Sequence, residues 1–206
     1  MDRRIPQRVA NEPSSSATRR ARTARRIAGL AIAGAVLLAA ASALAAHFGL
    51  FVPSWARFSD HTLSVDLDGD GAAEEVSLAQ GRLSVSGGSA AQAYATPSSW
   101  KVMDALVCDV DGDGTQELAM LVWRRGNYGS SRPFWDTGLD LRMTEHLYLL
   151  CLRDGQMEPF WMGHDLEREI ASFSFDPATR TLTLDERNGT SSAWTWEGFG
   201  FVLADE

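Results

Sequence analysis

The chain has 206 residues and carries 19 Lys and Arg against 27 Asp and Glu, a formal net charge of −8. The charge is unevenly placed: residues 1–26 hold eight Arg with Asp2 and Glu12, net +6, while residues 52–206 hold eleven basic and twenty-five acidic side chains, net −14. A portion that acidic excludes nucleic acid as its partner, because contacts to phosphates need an excess of Lys and Arg.

The N-terminal 1–26, with Pro6, Pro13 and Ser14 to Ser16, reads as a disordered basic tail. Residues 27–46 are twenty uncharged residues, and a further apolar patch follows His47 and runs to Val52. That is enough to cross the ~30 Å hydrocarbon core, so a transmembrane signal-anchor helix is expected over 27–51. Arginine on its N-terminal side predicts a cytoplasmic tail and an extracytoplasmic domain over 55–206, at the cell membrane with a single pass. The alternative is secretion after signal cleavage, since Ala43-Leu44-Ala45 fits the small-x-small cleavage pattern.

Beyond the apolar run, short apolar stretches recur between turn signals and no long 3.6-residue period is present. Strands are expected over 62–66, 74–79, 81–86, 102–109, 117–123, 146–152, 157–162, 169–175, 180–185, 191–197 and 199–203. Asp154-Gly155 and Asn188-Gly189 read as hairpin turns. The fold class is therefore all-β, with enough chain for one domain with its own core.

Two segments carry the clearest chemistry. Asp-x-Asp-Gly-Asp-Gly-x-x-Glu occurs at Asp66 to Glu74 and again at Asp109 to Glu117. Each copy lies between two apolar alternations, which reads as strand, tight acidic loop and return strand. Crowded carboxylates repel unless a hard cation neutralises them, and oxygen ligands suit Ca²⁺. The expected ligands are Asp66, Asp68, Asp70 and Glu74 with the carbonyl of Ala72, and Asp109, Asp111, Asp113 and Glu117 with the carbonyl of Thr115. One or two Ca²⁺ ions are expected. These are not EF-hands: loop position 12 is Ser77 or Met120 instead of Glu, and the flanks are β-like.

The acidic motif followed by an apolar strand resembles the FG-GAP repeat of integrin α-subunit propellers and the related bacterial VCBS-type repeats. The resemblance rests on about residues 60–80 and 103–125. It departs from the family in having Glu at the last ligand position, no Phe-Gly/Gly-Ala-Pro element and only two clear loops. It implies propeller-blade-like repeats of short antiparallel strands and a calcium-binding module that takes a protein or glycan partner at the cell surface. Asp66 and Asp109 lie 43 residues apart, a blade-sized period. A third unit is expected from about Ile170, where Phe173-Ser174-Phe175-Asp176 matches a first strand and first Asp, and Pro177-Ala178-Thr179 replaces the remaining ligands. Three such units fall short of the usual 4–8 blades of a closed propeller.

The longest gap between strands runs from Arg124 to Glu145. Arg124, Arg125, Tyr128, Arg132 and Trp135 place positive charge and aromatic faces there, as candidate ligand-binding residues; the competing reading is a plug for the end of the β core. Cys108 and Cys151 sit in apolar runs, where a free thiol behaves as a small core residue; a bridge between them is the alternative. No Gly-x-Ser-x-Gly or His-Glu-x-x-His occurs. His146, His164 and Asp165 are the acid–base candidates of an alternative reading, an envelope enzyme acting on glycans. A third reading is a structural subunit of an envelope assembly.

Overall fold

The computed structural model describes residues 15–126 and 140–204. The chain divides into two compact units between His47 and Phe48.

The first unit contains one helix, α1 (Ser15–His47). It is built from Ala, Leu and Arg, which have the highest helix propensities. Its stretch Arg22–His47 is long and apolar enough to cross a membrane, and none of it is buried. Ile27, Leu30, Ile32, Val36 and Leu38 are all exposed, an apolar surface spread around the helix. Two boundaries differ from the sequence expectation. The helix starts inside the basic tail, because Ala17 to Arg26 favour helix despite the serines before them. It ends at His47, short of residue 51, where Gly49 at φ +66 takes the left-handed conformation common just past helix ends.

The second unit is all-β. Its strands are β1 (His61–Val65), β2 (Glu74–Ala79), β3 (Arg82–Gly87), β4 (Tyr94–Ala95), β5 (Lys101–Cys108), β6 (Glu117–Arg125), β7 (Met143–Arg153), β8 (Gln156–Asp165), β9 (Ile170–Asp176), β10 (Thr181–Glu186), β11 (Ser191–Trp196) and β12 (Phe201–Leu203). They form three four-stranded antiparallel sheets in the simple orders β1-β2-β3-β4, β5-β6-β7-β8 and β9-β10-β11-β12, none of them closed. These are three blade-like repeats. Strand β4 escapes the sequence pattern because two residues are too few to show a period.

Alternation places the core. In β2 and β3 the side chains Val76, Leu78, Leu83 and Val85 are buried, while Glu75, Ser84 and Arg82 turn outward or stay partly exposed. Strand β6 departs from this: Glu117 to Trp123 are all buried. The middle sheet has a core on each face. Leu118, Met120, Val122, Tyr148 and Leu150 pack with the apolar residues of sheet one. Ala119, Leu121, Leu147 and Leu149 pack with Ile170, Phe173, Leu182 and Leu184 of sheet three. A strand covered on both faces reads as a continuous apolar run, not an alternation. Beyond this core, Trp161, Trp196 and Phe201 meet edge to face, with ring centroids 5.4–6.3 Å apart. Gly163 belongs to this packing, since a Cβ there would lie 2.8 Å from the Trp161 ring and from the Leu147 carbonyl.

In each sheet the first connection lies at one end. The Gln116 N–H donates to the Leu67 carbonyl at 2.9 Å, tying the β5–β6 loop to the β1–β2 loop. Arg180, from the β9–β10 turn, donates to the Asp111 carbonyl at 2.8 Å. The chain enters the unit at the opposite end, where the Met143 N–H, at the start of β7, donates to the Gly49 carbonyl.

Leu121 has no exposure and faces sheet three. Leu121→Ala is expected to cost about 2–5 kcal/mol, whereas Leu203→Ala, at 56% exposure, should change stability by under ~0.5 kcal/mol. Urea unfolding of the full chain in detergent, followed by Trp fluorescence, checks both; the seven Trp all lie beyond residue 52 and report on the β unit alone.

Candidate metal centres

The two acidic loops are near copies at the level of single hydrogen bonds. In the first, Asp66 Oδ1 and Oδ2 accept the N–H groups of Gly69 at 2.7 Å and Gly71 at 2.8 Å. In the second, Asp109 Oδ1 and Oδ2 accept those of Gly112 at 2.6 Å and Gly114 at 3.1 Å. Asp68 and Asp111 accept from the N–H two residues on, at 3.3 and 3.1 Å. Glu74 Oε2 closes the first loop by accepting the Leu67 N–H at 2.9 Å, and Glu117 Oε2 accepts the Val110 N–H at 3.0 Å. Both glutamates start their return strands opposite the last residue before the loop, in the pairs Val65–Glu74 and Cys108–Glu117. Gly69, Gly71, Gly112 and Gly114 all have φ between +77 and +93, a backbone state that a Cβ disfavours.

Carboxylate oxygens of Asp66, Asp68 and Glu74 lie within 4.8 Å of one another, as do those of Asp109, Asp111 and Glu117. Either cluster could hold a metal ion. Of the expected ligands, Asp70 and Asp113 stand outside these triplets. Asp70 Oδ1 accepts the Ala72 N–H at 2.7 Å, and Asp113 Oδ1 accepts both the N–H and the hydroxyl of Thr115. The Thr115 hydroxyl and N–H hold the Asp113 carboxyl below its usual range. Glu117 behaves oppositely. Burial, then the neighbouring Asp111, Asp113 and Asp109, push its carboxyl up to about 7 against the Val110 N–H. A divalent cation at that point would reverse the repulsion.

Two residues that the sequence pattern did not single out also shape these loops. Ser89, after β3, brings its hydroxyl to 2.5 Å from Asp68 Oδ2 and its N–H to 2.8 Å from Glu74 Oε1. Gly88 precedes it at φ +55, and a Cβ there would sit 2.0 Å from Glu74 Oε1. The signal in the sequence is Gly87-Gly88-Ser89, a polar hairpin turn by composition. The other residue is Arg180. The third turn keeps one element of the acidic loops: Asp176 accepts the Ala178 N–H at 2.9 Å and the Thr179 hydroxyl at 3.0 Å, which lower its carboxyl.

The other candidates have internal partners. Arg124 donates to the Tyr148 hydroxyl at 3.0 Å, and Arg125 to the Leu141 carbonyl at 2.8 Å. Tyr128, Arg132 and Trp135 lie outside the described residues. His146 is fully buried between the Thr144 hydroxyl at 2.9 Å and the Gly163 carbonyl at 3.2 Å. The carbonyl only accepts, so Nδ1 carries a proton, and burial lowers the pKa of the ring. His164 is exposed, and the Asp165 carboxylate accepts the Glu167 N–H at 3.0 Å. Cys108 and Cys151 are both buried free thiols. Burial, reinforced by Glu117 and Asp109, pushes the Cys108 thiol up, away from reactivity.

Searches of family models, curated proteins and solved structures found no match to this chain.

One buried acid lies away from the loops. Glu145 on β7 accepts the Ile170 N–H at 3.1 Å through Oε2, and so joins sheet two to the start of sheet three. Among the described residues its Oε1 has no hydrogen-bond partner, and neither has Trp123 Nε1 on the residue paired with it across β6 and β7. Burial, with smaller contributions from Asp165 and Glu169, pushes the Glu145 carboxyl up to about 8, opposed by the Ile170 N–H. The unfolded value is ~4.3, so the folded state holds the proton longer. Its contribution to stability is complete below the unfolded value and is lost as pH rises through about 8. Glu145→Gln should therefore flatten the decline in melting temperature between the unfolded value of ~4.3 and about pH 8; parallel melting curves for the two chains across that range would contradict the assignment.

Proposed function

We propose that the chain is a single-pass membrane protein with its basic tail in the cytoplasm and its β unit outside. The β unit is read as an FG-GAP/VCBS-like module that binds one or two Ca²⁺ ions and presents a protein or glycan binding surface at the cell surface. The observation that carries this reading is the repetition of the acidic loop. The same carboxylate-to-amide bonds recur in both copies, and each gathers three acidic side chains within 4.8 Å. Hydrogen bonds to the backbone hold these carboxylates in place. An ion at the open side of the triplet then meets oxygens already converged, at little cost in ordering. Binding would join the first and second strand of a sheet through Asp66, Asp68 and Glu74, or Asp109, Asp111 and Glu117.

The recurrence of one meander, three times, with its first connection at the same end supports the blade-like reading. The exposed apolar helix supports anchoring, and the arginines before it support the cytoplasmic tail. The envelope-enzyme reading has less support. His146 is buried with both ring nitrogens engaged, which leaves it no route to a substrate proton.

Calcium that binds only the folded chain adds about 2.7 kcal/mol per site at a hundredfold excess over Kd. Millimolar calcium should raise the melting temperature of the full chain in detergent, and Asp68→Ala with Asp111→Ala should remove the gain. The same curve in chelator and in calcium would sink the metal reading. The membrane reading has its own test. Protease added to intact cells should remove the β unit and spare the N-terminal tail, whereas a mature N-terminus near Ala46 would show cleavage instead of anchoring.

A further inference from the structure

Arg180 comes from the β9–β10 turn, which in sheet three takes the place of the acidic loops. Its Nη1 donates to the Asp111 carbonyl at 2.8 Å. The contact needs Gly112, at φ +79, because a Cβ there would lie 2.0 Å from that same nitrogen. Arg180 also shares with Asp109 the lining of a cavity of about 450 Å³ between sheets two and three, together with Cys108, Gln116 and Phe175. A guanidinium is thus seated on the backbone of the second loop, and it lines the same cavity as Asp109. The first loop differs. The side chain seated on its carboxylates is the neutral hydroxyl of Ser89, and among the described residues its hydrogen bonds and ion pairs include no Arg or Lys.

Strand ends sharpen the contrast. Arg82, Lys101, Arg125, Arg168 and Arg187 fall at the end away from the acidic loops, whereas Arg153 and Arg180 fall at the loop end. Arg153 closes β7, whose sheet carries the second loop, and its guanidinium stacks over Phe160 at 5.9 Å. Among the described residues, basic charge at the loop end is therefore concentrated in sheets two and three.

We propose that Arg180 is the built-in counter-cation of the second loop, and that it makes the two loops unequal, the first being the stronger site for a divalent cation. A fixed positive charge seated on the backbone of the loop offsets the mutual repulsion of its carboxylates. The same charge repels an arriving cation. The inequality rests on the calcium reading above; the counter-cation role does not.

The test uses the full chain in detergent, melted with and without calcium and followed by Trp fluorescence. In chelator, Arg180→Gln should melt roughly 2–4 °C below the unaltered chain, and Arg180→Lys, which keeps the charge, should recover most of that loss. Calcium should shrink the deficit of Arg180→Gln. So should Asp111→Asn in the same chain, since a loop with one charge fewer has less need of the guanidinium. With loop one disabled by Asp68→Ala, Arg180→Gln should tighten calcium binding at loop two by roughly threefold. With loop two disabled by Asp111→Ala, it should leave the affinity of loop one unchanged. A deficit of the same size in chelator and calcium, additive with Asp111→Asn and not recovered by Lys, would make Arg180 a packing residue and overturn the proposal. If calcium shifts none of these chains, the calcium reading fails, and the double substitution in chelator still decides the role of Arg180.

Discussion

The hydrogen bond from backbone N–H to carboxylate is the interaction on which the loop end depends. A loop of this tightness turns several N–H groups toward its centre, where no strand can accept them. Asp66 and Asp109 each accept two, and Glu74 and Glu117 each accept one more. The arrangement explains why glutamate stands at the last position. It starts a strand, on the inward face, and needs one more methylene than aspartate to reach back to the amide of Leu67 or Val110. It also explains the burial of a charged residue at 0% and 1% exposure. The satisfied backbone and the crowded acids are two consequences of one geometry, and a cation would remove the cost of the second.

The middle sheet makes the rest of the unit follow. Its two faces are both apolar, so it needs a partner sheet on each side. Sheets one and three are thin by comparison and show ordinary alternation, with Val76, Leu78 and Val85 on one and Leu182 and Leu184 on the other. The stack leaves outer faces in solvent. Ties at the loop end, from Gln116 to Leu67 and from Arg180 to Asp111, and the Glu145–Ile170 bond elsewhere keep the neighbouring sheets in place.

Much of this was legible in the sequence, for physical reasons that can be named. Period-two alternation marks β2, β3 and β10, whose outer faces are wet. A continuous apolar run marks β6. The matched spacing of Asp66 and Asp109 exposes the repeat, and Asp176 exposes its third copy although Pro177 to Thr179 carry no acid. What was not legible depends on contacts across sheets. Ser89 looks like a turn serine until β3 brings it against Asp68. Arg180 looks like a solvated residue at a strand end until sheet three brings it to Asp111. The roles of Asp70 and Asp113 were hidden too. A sequence counts four acids per loop but does not say which two-residue turn each carboxylate closes. The helix boundary moved for a local reason, since proline and serine content weigh toward disorder while Ala and Arg spacing favours helix.

The central proposal is that each acidic loop takes a cation on carboxylates that also hold the loop amides. Amide hydrogen exchange of the full chain in detergent tests it residue by residue. Added calcium should slow exchange at Gly69, Gly71, Gly112 and Gly114 and at the buried amides of Leu67 and Val110, with the larger change in the first loop. Amides in the β9–β10 turn, which lacks the acids, should keep their rates. Rates in both loops that stay the same with calcium and with chelator would contradict the account.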